Sequence, residues 1–253
     1  MSEVVTDERI AGLLRPFVRA SAPVLRTLRE SDPLLLRRGR ESTEPAEPGR
    51  LGGVRRRLDS VRLPGSSAWD AMTVGQRCDW WVERVGRLLA AVAGLPRFGG
   101  VITSRLPLRN ALGTVGQVLV LSAIAAEHGV TDRTVQVRMI ARVLFDRDLS
   151  DALASGAGSA ERDEARTADL TGDLERSNRG RTKSKAVVRT VWRMARALWE
   201  IDSELDKRPQ GRFYHEAIGS VPVVGVVGGY LGERSGLRRV ARHGERWIRR
   251  HGT

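Results

Sequence analysis

The side chains best suited to chemistry in this chain are few and scattered. Four histidines (His128, His215, His243 and His251) and one cysteine (Cys78) are the soft or titratable groups that could act as base, nucleophile or metal ligand near neutral pH. His215-Glu216 is not followed by a second histidine at zincin spacing, and no Gly-x-Ser-x-Gly elbow occurs. With a single cysteine no intrachain disulfide can form, and a metal site built on several cysteines is excluded. Cys78 sits in a helical pattern between Arg77 and Asp79, where a buried thiol is its ordinary role. The expectation is a protein without catalytic, cofactor-binding or metal-binding residues, and so not an enzyme.

The glycine-rich stretch VPVVGVVGGYLGERSGLRRV is the other feature that could carry chemistry. A dinucleotide loop needs glycines at first, third and sixth positions, and a P-loop needs Gly-Lys followed by Ser or Thr; neither occurs here. What occurs is spacing of four: Gly225 to Gly229, Gly228 to Gly232, and Gly232 to Gly236. On a helix those residues share one side, so a second backbone can come close. Each interior glycine costs about 1 kcal/mol against alanine, so close helix contact is the compensation to look for at Gly225, Gly228, Gly229, Gly232 and Gly236.

Past the glycines the charge changes. Between Glu233 and Thr253 there are seven arginines against Glu233 and Glu245. Leu237, Val240, Ala241, Gly244, Trp247 and Ile248 fall on one helical face, and Arg238, Arg239, Arg242, Arg246, Arg249 and Arg250 fall around the rest. A basic amphipathic helix with a tryptophan near its end is the pattern of segments that bind anionic membrane surfaces; the same pattern suits a solvated C-terminal helix packed on the core, which is the expectation for the fold. The whole chain is also basic, with a formal charge of +13 and only Lys183, Lys185 and Lys207 as lysines among 43 basic residues. The bland source of that arginine skew is a GC-rich genome; its chemical consequence is attraction to polyanions.

A second polyanion reading lies at IAAEHGVTDRTVQVRMIARVL. Residues 122–145 have the outline of a helix-turn-helix, with Gly129-Val130 at the turn and Arg133, Gln136 and Arg138 placed to meet bases or phosphates. Against it, the first helix runs apolar through the position where its cap belongs, and the second is apolar over much of its surface.

The elements that would position these residues are helical. Stripes at spacings of three and four run through Ile10 to Leu28, Trp69 to Val92, Val135 to Leu144, Val187 to Trp199 and Leu237 to Ile248. No period-two alternation bounded by turn pairs and no internal repeat is present. The fold class expected is all-α: a helical domain of two packed halves with disordered connectors. The expected units are an N-terminal helical arm over 1–30, kinked or split by Pro16 and Pro23, and a linker over 31–66. A helical half over 67–150 opens with Ser66 or Ser67 as cap, and a flexible connector of small polar residues, disordered or weakly helical, spans 151–182. The C-terminal helical half is 183–253. Asn110 to Ala126 is uncharged over seventeen residues but carries Asn110, Thr114, Gln117 and Ser122, and so reads as a buried helix or shallow insertion rather than a span. The opening MSEVVTDERI has acids where a secretory signal needs positive charge, which points to a cytoplasmic protein.

Two stretches together resemble the EcsC family of bacterial proteins: IAAEHGVTD with VQVRMIARVLFDRDL, and IGSVPVVGVVGGYLGERSGLRRVARHGERWI. Gly129-Val130 matches that family's turn between two helices, and Pro222, Val224, Gly225 and Gly229 match its Pro-x-Val-Gly-x-x-x-Gly stretch. The resemblance implies a helical protein, with a family member encoded beside a transporter, and it carries over no catalytic residue. The sequence-based expectation is therefore a non-enzymatic cytoplasmic protein held peripherally at the inner membrane surface or on a membrane protein, with nucleic acid as the alternative partner and no metal or other cofactor.

Overall fold

The computed structural model describes residues 6–30, 64, 66–93, 106–176, 180–206 and 229–251. Among them every regular element is a helix: α1 (Asp7–Glu30), α2 (Ser67–Asp70), α3 (Val74–Ala93), α4 (Leu106–Glu127), α5 (Arg133–Phe145), α6 (Asp151–Ser155), α7 (Ala160–Arg176), α8 (Gly180–Asp206) and α9 (Gly229–His251). The all-α class is as the periodicity requires. Most of the expected linker over 31–66, and Gly225 and Gly228, lie outside the described residues.

α4 is the hub. Its run from Asn110 to Ala126 has no charge to turn toward water, and so mainly apolar a helix is best surrounded. α3, α8, α9, α1 and α5 all pack on it. Val115, Leu119, Val120, Leu121 and Ile124 are buried on every side of the helix. Asn110–Glu127 is long and apolar enough to cross a membrane by length and composition, and 72% of it is buried inside the protein.

α1 is not an arm. Thirteen of its residues are buried, and it packs against α4, α5, α6, α7 and α8. It also runs through Pro16 and Pro23 as one helix. Proline at position 16 cannot donate to the Gly12 carbonyl four residues back. Arg166 of α7 donates its Nη1 to that oxygen at 3.3 Å, so tertiary structure satisfies what the proline leaves open.

The segment from Ser67 to Val92 breaks where a single stripe predicts continuity. Ser66 caps α2 through its Oγ, which accepts from the Trp69 N–H at 3.2 Å. Thr73 then opens α3 with a reciprocal box: its Oγ1 accepts from Gln76 N–H at 3.3 Å, and Gln76 Oε1 accepts from Thr73 N–H at 2.9 Å. Trp69, Trp80 and Trp81 meet edge to face around this break, at 5.1 and 4.9 Å between centroids.

Within the expected connector over 151–182, the described residues form two helices, α6 and α7, and the start of α8. Ser150 caps α6 and Gly156 closes it in the left-handed region. α7 follows, packed on α1 and α8 with Leu170 and Leu174 buried. Its composition is rich in Ala, Glu, Arg and Leu, which favours helix locally. What anchors it is polar. Arg15 Nε sits 2.5 Å from Asp163 Oδ2, Arg15 Nη2 donates to Ser159 Oγ at 2.8 Å, and Arg15 Nη1 donates to the Leu153 carbonyl at 2.6 Å.

Candidate functional site: the arginine face of the last helix

α9 presents two opposite faces. Leu237, Val240, Ala241, Gly244 and Ile248 are buried, where α9 packs on α3, α4 and α5. Arg238, Arg239, Arg242, Arg246, Arg249 and Arg250 are all exposed. At about 100° per residue these six fall within an arc of about 120° on the far side of the helix. Arg238 reaches Glu83 of α3 at 3.9 Å, and Arg246 Nε donates to the Arg242 carbonyl at 3.3 Å. Arg239, Arg242, Arg246, Arg249 and Arg250 face no acidic partner among the described residues. His243 lies at the edge of this strip. Partial burial first, then Arg246, Arg239 and Arg242, lower its pKa below the ordinary imidazole value, as the positive field of the strip requires.

Of the two readings of the α9 stripe, packing on the core is the one this geometry bears out. The apolar stripe of α9 is not available to lipid, because a stripe that suits an interface suits a core equally well and the core occupies it. Trp247 is half-buried against the core, its ring stacked on His251 at 4.7 Å. What remains for a partner is charge.

The glycines resolve differently from their spacing. Gly229 and Gly232 lie in the first turns of α9. A Cβ at Gly236 would meet nothing within 4 Å, so Gly236 is not a point of close helix contact. Those points are Gly244, where a Cβ would lie 2.5 Å from Leu121 Cδ2 of α4, and Gly116, where it would lie 2.3 Å from Leu89 Cδ1 of α3. Glycine spacing within α9 carries no information about either partner, so these two positions were not separable in sequence.

At the α4–α5 junction the turn is a Schellman motif followed by a cap. Val130 N–H donates to Ala125 O at 2.8 Å, Gly129 N–H donates to Ala126 O at 3.1 Å, and Gly129 takes φ 79°. Asp132 Oδ1 accepts from Thr134 N–H at 2.7 Å. Gln136 donates its Nε2 to the Val130 carbonyl at 2.8 Å, and Arg138 Nη1 lies 2.6 Å from Asp151. Arg133 is exposed, whereas Val137, Met139, Ile140, Ala141, Leu144 and Phe145 are buried. Two of the three candidate DNA contacts therefore already serve the turn or the neighbouring helix.

A cleft of about 1020 Å³ lies between α1 and the α6–α7 segment, lined by Arg15, Ser159 and Asp163 among others. Those three groups are bonded to one another. The cleft thus displays a satisfied ion pair. Elsewhere, Cys78, His128 and Glu245 bring three ligand atoms within 4.8 Å of one another, the one set among the described residues able to hold a metal ion. They come from distant parts of the chain, so no spacing signal could mark them. No family model, no curated protein and no solved structure matches this chain.

Proposed function

We propose that this is a non-enzymatic protein that docks peripherally on an anionic membrane surface, at the inner face of the cytoplasmic membrane, through the arginine face of α9. The observation that supports the reading is the strip itself: six exposed arginines on one arc, five of them facing no acidic partner among the described residues, on a helix whose other face is committed to the core. A helix half sunk in the protein presents a flat strip, which suits a plane of headgroups. Binding is electrostatic and shallow. Each arginine near such a surface contributes about 1 kcal/mol, so six supply roughly 6 kcal/mol, a micromolar-to-millimolar attachment that salt weakens. The helix-turn-helix reading over residues 122–145 draws less support, since Gln136 and Arg138 already have partners.

Flotation with vesicles of phosphatidylglycerol mixed with phosphatidylcholine tests the proposal. The protein is expected to float with them, to detach as ionic strength rises, and to ignore pure phosphatidylcholine. Arg242→Glu with Arg246→Glu should lower vesicle affinity at least tenfold, about 1.4 kcal/mol. Both side chains are exposed, so unfolding should move by no more than about 0.5 kcal/mol. Flotation unaffected by the reversal sinks the idea; tighter binding to duplex DNA than to the vesicles transfers the strip to nucleic acid.

A further inference from the structure

Cys78 of α3, His128 of the turn closing α4, and Glu245 of α9 converge on one point. The thiol sulfur, a ring nitrogen and a carboxylate oxygen lie within 4.8 Å of one another. Cys78 is 3% exposed, and the other two residues are half-buried. The imidazole Nε2 of His128 is buried and has no hydrogen-bond partner, which ordinarily costs about 1–3 kcal/mol. The surroundings are rich in negative charge. Glu127, adjacent to His128, has its side chain 6% exposed and is held by Trp81 Nε1 at 3.0 Å and by Arg77 at 3.8 Å. Burial first, then Glu245, Glu127 and Asp79, push the Cys78 thiol up to about 12. The thiol hydrogen-bonds with Glu245, yet a buried orphan nitrogen and a buried thiol beside converging carboxylates still suit a cation.

We propose that Cys78, His128 and Glu245 form a binding site for one divalent cation of the zinc class. The donor set selects the metal. Calcium and magnesium take oxygen ligands, whereas zinc accepts sulfur, nitrogen and oxygen together. Ligands of a tetrahedral zinc ion stand about 3.5 Å apart, given bond lengths of roughly 2.0–2.3 Å. The three side chains therefore close on the ion by about 1 Å, a motion that rotamer changes supply. Three protein ligands leave the fourth position to water. On binding, the S–H bond of Cys78 breaks as the metal–sulfur bond forms, and one proton leaves to solvent. Thiolate and Glu245 carboxylate then balance the ion's two charges, while Glu127 stays paired with Arg77. The ion would tie α9 to α3 and to the α4–α5 turn, fixing the helix that bears the arginine strip. The inference stands apart from the membrane proposal and does not need it.

Titration of the full-length, metal-stripped chain with Co²⁺, a spectroscopic stand-in for zinc, tests the site. Because Cys78 is the only cysteine, a thiolate-to-cobalt charge-transfer band reports on that sulfur alone. The expected result is one equivalent of Co²⁺ bound with the band, its displacement by Zn²⁺, and a rise in unfolding temperature with either ion. His128→Gln and Glu245→Gln should each weaken Co²⁺ binding at least tenfold. Both alter half-buried side chains, so they keep the test open if Cys78→Ser fails to fold. Saturating Co²⁺ with no charge-transfer band overturns the proposal, as does a band that both His128→Gln and Glu245→Gln leave at the affinity of the unaltered chain.

Discussion

The guanidinium of Arg15 is engaged on three sides, by Asp163, Ser159 and the Leu153 carbonyl, and this fixes what the neighbouring backbone tolerates. Gly156 and Gly158 both take left-handed φ, 77° and 82°. They differ in what surrounds them. A Cβ at Gly156 would fall 2.6 Å from Arg15 Nε and 2.9 Å from Asp163 Oδ2, whereas one at Gly158 would meet open space. Gly158→Ala should therefore cost the backbone term alone, about 1–2 kcal/mol. Gly156→Ala adds displacement of the ion pair, and breaking a buried pair costs about 3–5 kcal/mol. Urea denaturation of the two variants should separate them by at least about 2 kcal/mol. Equal midpoints would mean that the Arg15 fork moves aside freely and does not anchor α7. None of this was visible in sequence: Arg15 and Asp163 lie 148 residues apart, and a single salt bridge at that distance leaves no periodic trace.

At the scale of elements, α9 meets α4 through glycine, though not through the glycines that the i to i+4 spacing singles out. Gly236→Ala adds a methyl in open space inside a helix and should stabilise by up to about 1 kcal/mol. Gly244→Ala gains the same helix propensity but drives its Cβ to 2.5 Å from Leu121 Cδ2. Overpacking of that kind costs about 1–3 kcal/mol, so the net effect should be neutral to destabilising. Thermal unfolding of the pair checks the order; if Gly244→Ala is the more stable, Leu121 repacks without loss and the contact is loose. The stripes of α1, α3, α8 and α9 were legible because burial repeats every three to four residues. Ile10, Leu14, Phe17, Leu88, Val187, Val191 and Val240 are all buried where the period puts them. α7 was legible only as a disordered or weakly helical stretch, because small polar residues look alike in a connector and in a helix held by a buried ion pair. The arginine strip was legible as a face of α9, but not which way its apolar opposite would turn.

For the whole molecule, the last helix completes the first half of the chain, since α9 packs on α3, α4 and α5. Burying a large aliphatic side chain stabilises by about 1.5–3 kcal/mol. Leu237, Val240 and Ile248, with 3%, 0% and 4% of their surfaces exposed, together supply roughly 5–9 kcal/mol on that scale. A domain's entire stability is about 5–15 kcal/mol, so α9 cannot be removed without unfolding the rest. Deleting residues 233–253 should abolish cooperative thermal unfolding, collapse the near-ultraviolet circular dichroism of the buried tryptophans, and expose dye-binding apolar surface along α4. Loss of vesicle binding by such a truncation would then report an unfolded chain rather than a missing lipid contact, which is why reversal of Arg242 and Arg246 is the discriminating variant. The opposite result would be informative as well. A truncated chain that still melts sharply would show α9 to be dispensable to the core, and its apolar face, Leu237 to Ile248, would again be free to enter a membrane alongside its arginines.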